Sequence, residues 1–278
     1  MPELPEVETV RRQLSDRLKG RIVAHIVYHR PNVRILLPTD LPDALAGRMF
    51  GEIARHGKYM IATFADTDMA MGIHLGMSGH FLHYAPGDAT PAGRHDHMEI
   101  TLTDGTRVLY HDPRRFGMIF ATIRNDWRSH KLLSGLGPDP ITDGLDAAHL
   151  HHVMRNSARP IKPLLLDQTL IAGIGNIYAS EALYVAGISP FRPAKTLTRA
   201  DWDALVSAII TVLNRAISLN GSTYRDYRVL DGGVGRYQEE FKVYDKAGHT
   251  CPGCEGGCVI QRVVQAGRAT YYCAVKQK

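Results

Sequence analysis

Up to about residue 125, apolar and polar positions follow one short helix and then a series of strands. Val7, Val10, Leu14 and Leu18 fall on one face of a helix starting at Pro5, where a missing N–H costs nothing in a first turn. Residues 21–30 alternate as a strand. Residues 40–47 form a short helix with Gly47 as its stop. Residues 49–64, interrupted by Arg55-His56-Gly57-Lys58, predict a hairpin. A second hairpin runs from Met98–Leu102 through the turn 103–106 to Arg107–Tyr110. Residues 69–84 and 116–122 also read as strands. A β-sandwich or flattened barrel with a leading helix follows, over residues 2–125.

Ser134–Gly144 is rich in Gly and Pro, and a linker is expected over 126–145. Beyond it the pattern turns helical. Asp146–Met154 is short, and Pro163–Leu170 and Ile177–Ala186 flank a tight turn, 172–176. Thr198, with Asp201 in the capping-box place, starts a long amphipathic helix through Leu205, Ile209, Val212 and Leu213. A helical domain is therefore expected over 146–240, closed by a Cys-rich hairpin over 241–278. The fold class is α+β.

Net charge is +5 and the isoelectric point is near 9.0, which favours a polyanionic partner without requiring one. No apolar run reaches the length of a membrane span, and the acidic N-terminus is unlike a signal peptide, so a cytoplasmic protein is expected. The four cysteines, 251, 254, 258 and 273, cluster at the end of the chain. In a reducing compartment they read as a metal site before a disulfide framework.

The first residues carry chemistry. Removal of Met1 would leave Pro2 with a free secondary amine. With a pKa of about 8, much of it is neutral near pH 7 and able to attack a sugar anomeric carbon. Glu3 and Glu6 offer carboxylates for proton transfer beside it. Without further context, a frayed start before a surface helix accounts for the same residues. The stretch Met1-Pro2-Glu3-Leu4-Pro5-Glu6-Val7-Glu8-Thr9 resembles the N-terminal signature of bacterial formamidopyrimidine-DNA glycosylase, a base-excision repair enzyme, and the resemblance recurs along the whole chain. It implies that Pro2 is the nucleophile and Glu3 a catalytic acid/base. Glu6 matches a third acidic position.

Lys58 reads by itself as a solvated turn lysine or, beside Gly57, as a phosphate contact. The family's Arg-Gly-Lys-Tyr motif implies the second, with His56 standing where Arg is usual. Met77 and Phe116, in His74-Leu75-Gly76-Met77-Ser78-Gly79 and Asp112-Pro113-Arg114-Arg115-Phe116-Gly117, would pass for core residues. An enzyme acting on a base must evert it and fill the hole, and the resemblance assigns that to Met77, Arg114 and Phe116. Arg114 would read the cytosine left opposite the lesion. His74 matches a phosphate contact. The segment 161–183 joins a Gly-rich turn to a helix N-terminus, the arrangement of an anion site. There Asn176 caps the helix or reaches a phosphate itself. The segment resembles the family's helix-two-turn-helix, in which the matching Lys162 and Asn176 contact DNA backbone. Residues 221–240 read as a linker or, from the resemblance, as the loop closing over the everted base, with backbone amides around Arg225 to Tyr237 meeting it.

Cys251-Pro252-Gly253-Cys254 is half of a zinc ribbon. The family pattern ends in a second Cys-x-x-Cys, but here Lys276 stands where the last Cys belongs, three residues after Cys273. Either Cys258 replaces the lost ligand, giving one structural zinc on Cys251, Cys254, Cys258 and Cys273, or the hairpin stands by packing alone. The first is favoured. Arg268 matches the finger arginine that contacts phosphates next to the lesion.

The resemblance thus implies a DNA glycosylase and AP lyase. Its partner would be double-stranded DNA carrying an oxidised purine; a monomer, nucleoid-associated and off the membrane, is expected. Two rival readings stand beside it. The endonuclease VIII branch, for oxidised pyrimidines, is disfavoured by Leu4, Arg114-Arg115-Phe116 and residues 221–240. A non-catalytic zinc-ribbon DNA-binding protein is disfavoured by Pro2, Glu3, Glu6 and Lys58.

Overall fold

The computed structural model describes residues 1–223 and 234–278. The chain divides into two compact units, Met1–Gly135 with Asn220–Gly235, and Leu136–Leu219 with Arg236–Lys278. The stretch 126–145 contains a 3-10 turn at Trp127–Ser129 and a π-type turn at Pro140–Gly144, and the unit boundary falls inside it. Asn220–Thr223 groups with the first unit, whereas its position in sequence places it with the helices.

In the first unit, α1 (Leu4–Leu18) has Pro5 in its first turn, and Val7, Val10, Leu14 and Leu18 are all buried. Each such burial contributes about 1.5–3 kcal/mol. Two antiparallel four-stranded sheets follow. One contains β1 (Val23–Tyr28), β5 (His80–Tyr84), β6 (Asp96–Leu102) and β7 (Arg107–His111) in the order β1-β6-β7-β5. The other contains β2 (Phe50–His56), β3 (Tyr59–Phe64), β4 (Met69–His74) and β8 (Met118–Ile123) in the order β2-β3-β4-β8. One apolar cluster draws on α1 and both sheets, which makes this a sandwich. The short helix α2 (Leu41–Leu45) buries Leu41 and Leu45 in the same core.

In the second unit, α3 (Ala147–Met154) and α5 (Asn176–Ala186) pack on α6 (Arg199–Ser218), which buries Trp202, Leu205, Ile209, Val212 and Leu213. The Thr198–Asp201 capping box forms as its sequence predicts. The helix expected over 163–170 is instead the five-residue α4, Ile161–Leu165. Its continuation is lost to the turns that Gln168 organises. The Gln168 side chain donates to the Leu166 and Ile174 carbonyls and accepts the Gly173 N–H at 2.9 Å, turning the chain before it can add another helical turn. The terminal hairpin is β9 (Gln261–Gln265) and β10 (Arg268–Tyr272). Among the described residues, no helix is long and apolar enough to cross a membrane.

Candidate functional site

The first unit gathers the N-terminal chemistry at the head of α1. Pro2, Glu3 and Glu6 are buried there and Glu3 is the N-cap. Glu6 Oε2 accepts the Glu3 N–H at 2.9 Å. Glu6 Oε1 accepts the Ser222 N–H at 2.7 Å and the Ser222 hydroxyl at 3.0 Å. One carboxylate thus fixes the chain start and pins the segment that follows α6.

Lys58 lies in the two-residue turn of the β2–β3 hairpin. His56 pairs with Tyr59, and Gly57 takes a φ of 58°, the positive first central position of a type II′ turn. Only 7% of Lys58 is exposed, far from the solvated tip lysine of a plain turn. The turn is held by Arg55, which sequence reasoning passed over. Its Nε donates to Glu8 Oε2 at 3.0 Å and its Nη1 to the Gly57 carbonyl at 3.1 Å, tying the hairpin to α1. Burial pushes the Glu8 carboxyl up, but the guanidinium groups of Arg11, Arg12 and Arg55 outweigh it and hold the pKa at about 2. His56, where the family has Arg, accepts from Arg128 Nη1 at 3.4 Å.

His74, opposite Tyr59 in the sheet, accepts the Gly76 N–H at Nδ1, which leaves its proton on Nε2. Burial first, then the positive charges of Lys58 and Arg34, lower its pKa to about 4. It is therefore a neutral N–H donor near pH 7. Met77 follows directly on the Gly76 turn, and Arg114 and Phe116 stand on the loop between β7 and β8. The Arg114 guanidinium lies 4.9 Å from the Phe116 ring centroid, and Phe116 is 42% exposed. The two loops touch: a Cβ on Gly76 would lie 2.3 Å from the Phe116 carbonyl carbon. An exposed aromatic ring under a guanidinium is the reverse of a core side chain.

In the second unit, Asn176 does not cap α5. Gly175 is the N-cap, and the Asn176 amide donates to the Ala269 carbonyl at 2.9 Å. Lys162 is 1% exposed, and its ammonium is turned inward. It donates to Asn176 Oδ1 at 2.6 Å, Thr270 Oγ1 at 2.9 Å and the Ala269 carbonyl at 3.1 Å. Lys162 thereby bridges α4 to α5 and to the strand that begins at Arg268. Arg268 itself is exposed, just after a turn in which Ala266 and Gly267 both take positive φ, a type I′ hairpin. Most of the loop expected to close over a base, Arg225 to Tyr237, lies outside the described residues.

The four cysteines are free thiols with their Sγ atoms all within 4.8 Å of one another. Cys254 and Cys258 Sγ stand 3.5 and 3.3 Å from that of Cys273, close to the roughly 3.8 Å edge of a zinc–thiolate tetrahedron. The donor set therefore fits one zinc ion, with Cys258 supplying the fourth thiolate. Lys276 lies against the cluster, its backbone N–H donating to Cys273 Sγ at 3.4 Å and its ammonium 5.3 Å from the Tyr184 ring centroid. Glu181 secures the base of this hairpin, accepting the N–H groups of Lys242, Val243 and Tyr244 at 2.8–2.9 Å.

Residues 1–119 match the formamidopyrimidine-DNA glycosylase N-terminal domain, and residues 136–228 match the H2TH domain of the same enzymes. The chain is 45% identical over 285 residues to the formamidopyrimidine-DNA glycosylase of Rhodospirillum rubrum, covering all of both. It superimposes on a mutant of the Lactococcus lactis FPG bound to DNA containing Fapy-dG, with TM-score 0.90 and 36% identity over the whole of both chains. A structure of MutM with DNA containing carbocyclic 8-oxo-G gives TM-score 0.88, also at 36% identity and full coverage. Fold, site and matches together define a DNA glycosylase of base-excision repair. The chain belongs to the formamidopyrimidine-DNA glycosylase family.

Proposed function

We propose that the protein excises 8-oxoguanine opposite cytosine, and ring-opened formamidopyrimidines, from duplex DNA, and then cuts the strand as an AP lyase. The observation that carries this is the head of α1, where Pro2 sits beside the Glu3 cap and the Glu3–Glu6 hydrogen bond holds it still. Once Met1 is removed, the Pro2 nitrogen attacks C1′ as the glycosidic bond breaks and the base leaves with its electron pair. The resulting imine acidifies C2′. Glu3 moves protons around the opened sugar while the 3′ and then the 5′ C–O bonds break by β- and δ-elimination. Lys58, His74, Asn176 and Arg268 bind phosphates, His74 as a neutral N–H donor. Lys162 serves by holding Asn176. Met77, Arg114 and Phe116 fill the gap left by the everted nucleotide, and Arg114 reads the orphaned cytosine. Cys251, Cys254, Cys258 and Cys273 would hold one zinc ion, which supplies no chemistry to excision but fixes the hairpin carrying Arg268.

Borohydride trapping on a duplex with one 8-oxoguanine opposite cytosine tests this, with intact mass before and after. The expected result is loss of Met1 and a DNA adduct mapping to Pro2. A Pro2→Gly variant that nicked the duplex at the parent rate would refute the nucleophile. Binding without any adduct would refute the lyase.

A further inference from the structure

The loops bearing Met77 and Arg114–Phe116 meet at a carboxylate that excision does not use. Asp112 is completely buried. Its Oδ1 accepts the Ser78 hydroxyl at 2.6 Å, and its Oδ2 accepts the Gly117 N–H at 2.8 Å and the Tyr110 hydroxyl at 3.4 Å. Ser78 Oγ in turn accepts the Arg114 N–H at 3.2 Å. The Asp112 carbonyl accepts from His97 Nε2 at 2.8 Å. Glycines make room for this closeness: a Cβ on Gly117 would stand 1.7 Å from the Tyr110 hydroxyl, and one on Gly79 2.4 Å from it. Arg115 is held at a φ of 55°, a left-handed conformation that persists in a non-glycine residue only where its surroundings enforce it.

We propose that Ser78 and Asp112 are positioning residues for the wedge. Two hydrogen bonds in series, from the Arg114 N–H to the Ser78 hydroxyl and from that hydroxyl to the Asp112 carboxylate, keep Met77 in register with Arg114 and Phe116. This rests on the wedge role given above to those three side chains. Opening a base stack costs a few kcal/mol, and a wedge that had to be ordered at the same moment would add its own entropy. Bonds to a buried carboxylate are short and strong, so the loops enter the stack already assembled. The guanidinium of Arg114 then meets the opposite base at a fixed height, and the relay contributes to opposite-base discrimination.

The test compares Ser78→Ala and the near-isosteric Ser78→Cys with the parent protein. Single-turnover excision is measured from 8-oxoguanine opposite cytosine and opposite adenine, cleavage at a preformed abasic site opposite cytosine, and the urea midpoint alongside. Both variants are expected to lose about tenfold in lesion excision and to narrow the cytosine-over-adenine preference, with a smaller loss at the abasic site, where no base has to be everted. Unchanged excision and preference in both variants would overturn the proposal. So would losses equal on all three substrates and tracking the urea midpoint, since a purely structural role does no more. Met77→Ala and Arg114→Ala run beside them separate the two layers. If these also leave excision and preference untouched, the wedge reading itself fails.

Discussion

Lys162 shows how a residue's role depends on which way it points. A buried ammonium is costly unless its N–H groups are satisfied, and here three acceptors lie within 3.1 Å. Lys162→Met is therefore expected to cost about 2–4 kcal/mol in urea unfolding, because it strips Asn176, Ala269 and Thr270 of a donor. Loss of a lysine that contacted phosphate directly would instead leave stability alone and flatten the salt dependence of DNA binding. His74 gives a prediction in pH. Its folded pKa, about 4, lies below the ordinary 6.5, so the unfolded chain takes up a proton first as pH falls. Its contribution is lost progressively from pH 6.5 to 4. A His74→Asn variant should show a flatter stability curve across that window in urea titrations at stepped pH. The sequence made both residues legible as candidates, because each lies in a recognisable motif. It could not show orientation, since burial of Lys162 depends on Ala269 and Thr270, more than a hundred residues away.

Individual elements were legible to different degrees. The period of α1 and the Thr198 cap are local signals, and both elements stand where the pattern put them. The helix expected over 163–170 failed because Gln168, a good helix former, uses its side chain to turn the backbone. Arg55 carries no pattern of its own. Its meaning comes only when β2 lies against α1 and Glu8 meets it. Glu8→Gln should cost about 3 kcal/mol at neutral pH. Because the Glu8 pKa is lowered from 4.5 to about 2, its contribution is complete above pH 4.5 and lost as pH falls toward 2. The gap between variant and parent in thermal melts should close over that window. At the hairpin, Cys258→Ser should release zinc to a chromogenic chelator and lower the melting temperature. Adding Lys276→Cys, which returns a thiol to the family's position, should recover part of both.

For the molecule as a whole, charge is the property that acts at a distance. Lys58, Arg114 and Arg268 supply three cations to the proposed phosphate and base contacts. Each phosphate neutralised steepens the dependence of log affinity on log salt by about 0.9. Removing Arg268 should make that slope shallower by about this amount in anisotropy titrations, at every duplex sequence tried. A net charge of +5 suggested the partner without locating it.

The path of the chain between the two units bears on inheritance. It leaves the first unit after Gly135, returns at Asn220 and leaves again after Gly235. Ser222, which closes over Glu6, is thus encoded on the far side of α6 from the unit it serves. A recombination event that exchanged residues 136–278 for those of a relative would import a foreign partner for Glu6 along with the new helices. Chimaeras in which residues 220–223 travel with the sandwich should be the more stable ones.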